Sequence, residues 1–499
     1  MGHEVELKLA LPEGEQRRLL RSPLLREAAS RRNERLVNIY YDTPDLALHC
    51  NGIALRLRRS RRRWLQTIKC AGLSQGGLSS RPEWEGQYGG SFDFDAVTDA
   101  RTRKLLERFK SRLVPVFETN FMRTTWIIHA TNADLLLMLD HGDISAGGRT
   151  SVISEVEIEL AGGSVDDIFL LADRLAQGFS LNPTPRSKAE RGYALFTGKK
   201  EMPVNAAPVM VDSAMKPIEA FRQIALAGLD HLQLNHHGSV HSDNAEYIHQ
   251  MRVALRRLRA SFRLFQPLLP VNFCEHLLPP LHDLMRVLGT TRDLDVLTDE
   301  IVDPVMVAIP AEPRIADLAG AVAAQRRKAR LLAIETLNDP AYGHFVLQAM
   351  RAVNQLLPGN EVTSNQFAEF ANQRLRHLQR KMLHLAQVAR QDDPASLHAL
   401  RIGAKRLRYA LDFLSPLLPA QRTAKLARQL ARLQNSLGQL NDLANAGTLL
   451  MACADDDPGL REAVSLIGGW HGKRYARLLA SVPGAVEKLQ NARLPKVEK

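Results

Sequence analysis

The sequence predicts an α+β domain followed by an all-α domain. Short segments that alternate charged and apolar residues fill the first part. Long Leu/Ala/Arg-rich stretches with apolar residues three and four apart fill the second, and the second part also repeats itself at a fixed offset. Glu4-Val5-Glu6-Leu7-Lys8 opens the chain. Ala54-Leu55-Arg56-Leu57-Arg58 repeats its grammar with cations, Glu155-Val156-Glu157-Ile158-Glu159-Leu160 with carboxylates, and Arg81-Pro82-Glu83-Trp84-Glu85 with both. A period of two is the strand period, so each segment sets its charges on one face and its apolar residues on the other. Several such strands can line one cavity. A cavity rich in both carboxylates and cations suits a polyphosphate carried by a divalent metal.

Gly198-Lys199-Lys200-Glu201-Met202-Pro203 begins a stretch without periodicity that continues through Ala206-Ala207-Pro208 to Met215. It reads as a linker, 201–215, between a domain at 1–200 and a domain at 216–499. In the second domain, His249-Gln250-Met251-Arg252 matches His398-Ala399-Leu400-Arg401, and Leu288-Gly289-Thr290-Thr291-Arg292-Asp293-Leu294 matches Leu437-Gly438-Gln439-Leu440-Asn441-Asp442-Leu443. Both pairs lie 149 residues apart. Two copies of one helical unit follow, roughly 216–357 and 365–499, each long enough for several helices and packed as bundles about a pseudo-twofold axis. His249, Arg252, Arg256, Arg259 and Arg263 form one stripe along a helix, and His398, Arg401, Lys405 and Arg408 form its counterpart. If the stripes face each other they make a positive groove. Leu255, Leu258 and Phe262 occupy another face and pack inward. Asp293 and Asp442, each after a glycine-containing break, are expected to cap helices or anchor arginines rather than catalyse.

Composition sets the outer limits. At 499 residues and 45% hydrophobic content the chain supports two or three domains with ordinary cores. Cys50, Cys70, Cys274 and Cys453 are scattered without metal-ligand spacing, which points to a reducing compartment, here the cytoplasm. The N-terminus is acidic and amphipathic, unlike a signal peptide. No apolar run reaches the ~18 residues of a membrane span. The net charge is +12; residues 1–215 hold 30 basic and 27 acidic side chains, and residues 216–499 hold 36 and 27. The excess in the second part calls for an acidic partner. Charge alone leaves nucleic acid, acidic membrane and polyphosphate open.

Eight segments in one order resemble the CYTH, or triphosphate tunnel metalloenzyme, superfamily. They are Glu4-x-Glu6-x-Lys8, Tyr40-Tyr41-Asp42-Thr43-Pro44, Leu55-Arg56-Leu57-Arg58, Gln66-Thr67-Ile68-Lys69, Arg81-x-Glu83-x-Glu85, Arg123, Asp140-His141-Gly142, and Ser187-Lys188, with the carboxylates of Glu155-Glu159 between the last two. The stripes and the Leu-Gly-x-x-Arg/Asn-Asp motifs of the second part resemble the CHAD domain, the conserved histidine α-helical domain. The resemblance implies an eight-stranded antiparallel β tunnel with flanking helices, followed by two duplicated helical bundles. This is the architecture of bacterial CYTH–CHAD inorganic triphosphatases. It further implies metal-dependent hydrolysis of inorganic triphosphate to diphosphate and phosphate with Mg²⁺ or Mn²⁺, polyphosphate binding by the CHAD domain, and association with polyphosphate granules.

By the same resemblance, Glu4, Glu6, Lys8 and Lys69 would be catalytic, and Lys8, Arg56, Arg58, Lys69, Arg81, Arg123 and Lys188 would bind the triphosphate. The metal would lie among Glu4, Glu6, Asp140, Glu155, Glu157 and Glu159. Mg²⁺ takes few carboxylates beside phosphate and water. Glu157 and Glu159 are therefore the preferred ligands for a substrate-bridging metal, with Glu4 and Glu6 holding a second metal or orienting the attacking water. Glu83 and Glu85 would be further ligands or would hold the cations in place. His249, Arg252, Arg256, Arg259, Arg263, His398, Arg401, Lys405 and Arg408 would bind polyphosphate. Arg59, Arg61, Arg62 and Arg63 read as a solvated run, and His49 and His141 as structural or exposed. The competing readings are a thiamine or nucleoside triphosphatase, an adenylate cyclase, and a non-catalytic polyphosphate-binding or targeting protein. Nucleic-acid binding fits less well, because the stripes lack interleaved aromatics. The preferred triphosphate, the choice of metal and the oligomeric state are not legible in the sequence.

Overall fold

The computed structural model describes residues 2–26, 28–60, 63–75, 77–130, 132–356, 365–455 and 457–497. They form two compact units. The first comprises Met1–Val204, His236–Gly238 and Asn338–Gln355, and the second comprises the remainder.

The strands are β1 (Gly2–Ala10), β2 (Ser30–Asp42), β3 (Ile53–Ser60), β4 (Arg63–Cys70), β5 (Leu73–Gln75), β6 (Leu78–Gln87), β7 (Val114–His129), β8 (Ala133–Ala146), β9 (Arg149–Gly163) and β10 (Asn182–Pro183). They run antiparallel in the order β1-β9-β8-β7-β2-β3-β4-β6, and β6 pairs back onto β1, so eight strands close a barrel. Strands β5 and β10 extend it at β6 and β1. Closure leaves no edge in the eight-stranded ring. It also forces the period-two alternation to send one face of every strand inward.

Much of the outward face is apolar and covered by helices, while Met122, Ile127 and Val152 stay exposed. The helices of this part are α1 (Gln16–Leu19), α2 (Ala47–Cys50), α3 (Ala100–Phe109), α4 (Val165–Ala176) and α5 (Lys188–Thr197). Leu48, Ile53, Leu55, Ile68, Trp84, Phe94, Val97 and Leu106 make one core under α2 and α3. Helix α4 starts at Ser164, whose side chain accepts from the amide of Asp166, and buries Ile168, Phe169, Leu171, Ala172 and Leu175. Helix α5 starts with a capping box of Ser187 and Glu190 and ends at Gly198, where φ is 64°. It packs against β7, β8 and β9, with Tyr193 in a core that holds Tyr40, Phe117 and Phe121. Its approach is close. A Cβ on Gly192 would stand 2.1 Å from the Phe117 ring.

The second part is helical: α6 (Pro217–His241), α7 (Glu246–Phe265), α8 (Val271–Val296), α9 (Asp303–Ala308), α10 (Pro313–Asn338), α11 (Pro340–Gln355), α12 (Asn365–Val388), α13 (Pro394–Phe413), α14 (Ala420–Ala454) and α15 (Pro458–Gln490). Helix α11 belongs to the first unit. There Arg351 clamps Asp166 of α4 through Nε at 2.7 Å and Nη2 at 2.9 Å. The duplication is visible in the elements. Helix α7 passes through a 3₁₀ turn at Gln266–Leu268 into α8, and α13 passes through Ser415–Leu417 into α14. Helices α7 and α13 pack on each other, with Leu255, Leu258 and Phe262 buried as expected.

One expectation is corrected. Gly289 and Gly438 lie inside α8 and α14, not at breaks. A helical glycine costs only about 1 kcal/mol relative to alanine, which tertiary packing outweighs. At Gly438 the absent side chain leaves room for Arg401, whose Nε lies 3.9 Å from the Cβ position. Asp293 does anchor an arginine, accepting from Arg252 Nη1 at 2.9 Å.

Gly192→Ala should destabilise the first unit by about 1–3 kcal/mol, because the new methyl forces α5 off the Phe117 ring. Denaturant unfolding of the full chain measures this. An unchanged midpoint would show that α5 is not seated as described.

Candidate active site

The inward faces of the barrel strands carry the charges, and antiparallel register decides which of them meet. Across β7, β8 and β9 the register aligns Arg123 with Asp140 and Asp140 with Glu155. One step along, Met138 aligns with Glu157, and Glu157 with Lys8 of β1. The contacts follow this grid. Arg123 donates from Nε to Asp140 Oδ1 at 2.7 Å, from Nη2 to Asp140 Oδ2 at 2.6 Å and from Nη2 to Glu157 Oε2 at 2.5 Å. Asp140, Glu155 and Glu157 are only 0%, 2% and 6% exposed.

Lys188, the first residue of α5, reaches into the centre of this cluster. Its Nζ lies 2.6 Å from Asp140 and 3.1 Å from Glu157, and it is hydrogen-bonded to Glu155. Arg191, one turn along α5, reaches the other oxygen of Glu155 at 3.2 Å. Burial alone would push the Lys188 ammonium down, but Asp140, Glu155 and Glu157 raise it well above its usual value. Burial alone would push the Glu157 carboxyl up, but Lys188, Arg123 and Lys8 hold it well below the usual carboxylate range.

A second set lies across β1, β3, β4 and β6. Glu6 accepts from Lys8 and from Arg81 Nη2, the latter at 2.8 Å. Glu83 takes Lys69 at 2.9 Å and lies 3.7 Å from Arg56. Glu85 lies 3.8 Å from Arg58 and accepts from the Thr67 hydroxyl at 3.1 Å. Glu83 and Glu85 therefore hold the cations in place. Arg58 also donates to Asn38 at 3.2 Å, and burial together with Arg56 and Arg123 pushes its guanidinium down to about 10. The side chains enclose a cavity of about 60 Å³ lined by Glu6, Lys8, Arg56, Arg58, Lys69, Arg81, Arg123, Glu157 and Lys188.

The placement of the expected residues is thus clear. All seven expected triphosphate-binding cations line this one cavity, as do Glu6 and Glu157. Asp140 and Glu155 stand behind them, bonded to Lys188. Glu159, half-buried, is opposite Glu6 in register. Glu4 is in β1, opposite Arg81, and its side chain lies outside the described residues. Arg61 and Arg62 also lie outside them, while Arg59 and Arg63 are exposed. His49 stacks on Tyr193 at 4.1 Å, and His141 is exposed. Sequence reasoning missed Tyr40, which lines the cavity. Burial opposes its ionisation, yet Arg56, Lys69 and Lys188 lower its pKa overall. It also missed Asn38 and Arg191. The alternation of β2 and the 188/191 spacing of α5 were the available signals.

The oxygens of Asp140, Glu155 and Glu157 lie within 4.8 Å of one another, the kind of donor set a hard divalent cation takes. Lys188 now supplies the positive charge there. The donors fit Mg²⁺ or Mn²⁺ in kind, and an ion among these three would compete with the ammonium.

In the helical unit the two stripes do face each other. Lys405 of α13 is pushed down to about 7 by burial and by Arg401, Arg256, Arg252 and Arg408, which come from both stripes. Burial, Arg252, Arg401 and Arg408 likewise lower Arg256. His249 is lowered by burial and by Arg292, a groove cation the sequence reading did not include. His398 sits 2.7 Å from Asn441.

The model of the CYTH domain matches residues 2–193, and that of the CHAD domain matches residues 223–451. The chain is a CYTH–CHAD protein. An inorganic triphosphatase of Haemophilus influenzae is 35% identical over 163 residues, 32% of this chain and 46% of the relative, so the match spans less than half of that protein. The CHAD domain of the plant Ricinus communis matches with a TM-score of 0.52 and 28% identity, over 60% of this chain and all of that one. A protein from Hippeastrum described as a putative adenylyl cyclase with dominant triphosphatase activity matches at 21% identity and a TM-score of 0.30, over 40% of this chain and 98% of that one. That likeness is too weak to carry a functional statement. Among the described residues no helix is long and apolar enough to cross a membrane.

Lys188→Met should cost the CYTH domain about 3–5 kcal/mol, because it removes the cation that bridges three buried carboxylates. The pH dependence gives the diagnostic. In the wild type, the stability from the lowered Glu157 carboxyl is present above the ordinary carboxylate pKa of about 4.3 and is lost as pH falls through the lowered value. In the variant the three buried carboxylates keep only Arg123 and Arg191 as direct partners among the described residues, and the Glu157 carboxyl, without the largest of its counter-charges, rises. The variant's stability should therefore increase as pH falls from 7 toward 5. Urea unfolding at both pH values tests this, and parallel pH profiles would contradict it.

Proposed function

We propose that the CYTH barrel hydrolyses inorganic triphosphate to diphosphate and phosphate with Mg²⁺ or Mn²⁺, and that the facing stripes of the CHAD domain bind polyphosphate. The observation that supports the first reading best is the convergence of seven cations, from β1, β3, β4, β6, β7 and α5, on one cavity that also presents Glu6 and Glu157. A ligand charged along its whole length suits walls charged on every strand.

Phosphoanhydride hydrolysis depends mainly on positioning and charge neutralisation. Arg56, Arg58, Arg81 and Arg123 suit forked contact with phosphoryl oxygens, while Lys8, Lys69 and Lys188 act as point charges. In the structure these cations are engaged with Glu6, Glu83, Glu85, Asp140, Glu155 and Glu157. A triphosphate entering the cavity would exchange carboxylate partners for phosphate ones, leaving the carboxylates for a divalent ion. Glu157 and Glu159 would hold that ion, and Glu6 would orient the attacking water. When bound, the ion supplies charge neutralisation and a water of lowered pKa. The four cysteines are all unpaired, which fits the cytoplasmic setting expected from the sequence. Polyphosphate binding would place the protein at polyphosphate granules.

Phosphate release from tripolyphosphate, with Mg²⁺ and then Mn²⁺, tests the activity. Glu157→Gln with Glu159→Gln should lower turnover by about a hundredfold or more while the triphosphate still binds. Undiminished turnover in that variant, or cyclic AMP from ATP as the product, would replace this reading. The CHAD groove makes a separate prediction. At pH 8 the Lys405 amine is largely neutral, so polyphosphate binding should take up protons. Titration calorimetry in buffers of different ionisation enthalpy reads the uptake. Lys405→Arg should bind with less uptake, and equal uptake would show that Lys405 is not the group that titrates.

A further inference from the structure

The repeat relation between α7 and α13 holds for most groove residues and fails at one position. At 149 residues apart, Arg252 corresponds to Arg401, Arg256 to Lys405, Arg257 to Arg406 and Arg259 to Arg408, all cationic on both helices. Arg263 corresponds to Asp412. A pseudo-twofold turns each contact between these helices into its mate on the opposite flank. On one flank Arg257 is paired with Asp412, and its guanidinium also lies 5.0 Å from the centroid of the Phe413 ring. The mate of that pair is Arg406 with Arg263, two cations.

Arg263 and Arg406 lie near enough for their charges to act on each other. Burial, Arg259 and Arg406 push Arg263 down to about 10, and burial and Arg406 lower Arg259. His282 of α8 joins from the side, lowered by burial, Arg259 and Arg263, with Asp283 acting in the opposite sense. Among the described residues the charged groups acting on Arg259 and Arg263 are cations. The Nε atoms of Arg259 and Arg406 are buried without a hydrogen-bond partner. Folding has thus left three arginines within electrostatic reach of one another, two with an unanswered buried donor, where the other flank has a closed ion pair. Like charges held together this way raise the energy of the unliganded state and lower it again when an anion enters.

We propose that Arg259, Arg263 and Arg406, with His282, form a second phosphate subsite that extends the central groove on one flank only. A long polyphosphate would run from Arg256 and Lys405 out over this flank, and the Arg257–Asp412 pair closes the other. This rests on the reading of the groove as a polyphosphate site. It goes further by giving the bound chain a single exit and by making affinity depend on chain length. Arg256, Arg259 and Arg263 lie on one face of α7 at spacings of three and four, so the two subsites are continuous along the helix.

The test is equilibrium binding of short and long linear polyphosphates of defined length to the full chain, over a range of salt. Arg263→Asp restores the repeat symmetry and gives Arg406 a carboxylate. It should weaken long-chain binding about tenfold and flatten its salt dependence, and weaken short-chain binding by a clearly smaller factor. Asp412→Arg should do the reverse, tightening long-chain binding by opening the second flank. Both positions are solvent-facing, so folding is not at stake, and circular dichroism checks it. Loss of short- and long-chain binding alike in Arg263→Asp, or no change in either, would overturn the one-flank subsite and leave the groove reading standing. Absence of any polyphosphate binding by the wild type would overturn both.

Discussion

A closed barrel with charged inward faces can fold only if each buried charge meets an opposite one. An isolated carboxylate or ammonium in that interior would cost several kcal/mol. The pairing of Arg123 and Lys188 with Asp140, Glu155 and Glu157 meets this constraint, and much else follows from it. It requires strands in strict register, because a slip of one residue would turn every charge outward. It requires α5 to begin where it does, since Lys188 is the first residue of a helix whose start is fixed by Ser187 and Glu190. It also explains Gly192, which lets α5 lie close enough for the lysine to reach.

The same constraint links stability to function. The pairs that hold the barrel together use the groups a metal–triphosphate complex would use. Ligand binding would then be an exchange of partners rather than the filling of a positive hole. Such an exchange is consistent with a small cavity between the charged walls. It also makes Lys188 the pivotal group, because its ammonium sits among the oxygens a divalent ion would want.

Much of this was legible in the sequence, for a physical reason. Alternation gathers the charges of a strand on one face without reference to its neighbours, so Glu6, Lys8, Arg56, Arg58 and Glu157 could be grouped from their own segments, whereas Lys69 rested on the family resemblance. Pairing could not. Arg81 stands two residues from Glu83 yet pairs with Glu6, and Arg56 finds Glu83 across β4, because register is set by closure of the whole ring. The burial of Glu155 has no mark in its own segment, because its partners Lys188 and Arg191 stand thirty-odd residues away. In the helical part the repeat offset located the stripes, but the glycines of α8 and α14 read as breaks because packing, which keeps those helices continuous, leaves no local mark. Helix α11 shows the same limit. Its place against α4 in the first unit depends on Arg351 meeting Asp166, which no linear pattern announces.

If charges from separate strands converge to hold a triphosphate together with a divalent ion, each ligand should strengthen binding of the other. The most direct measurement is calorimetric titration of a non-hydrolysable imidotriphosphate into the full chain, with and without Mn²⁺, for the wild type and for Arg56→Glu with Arg58→Glu. The account predicts a site whose affinity rises about tenfold or more with Mn²⁺ and which the double variant abolishes. Affinity indifferent to both the metal and the variant would contradict it.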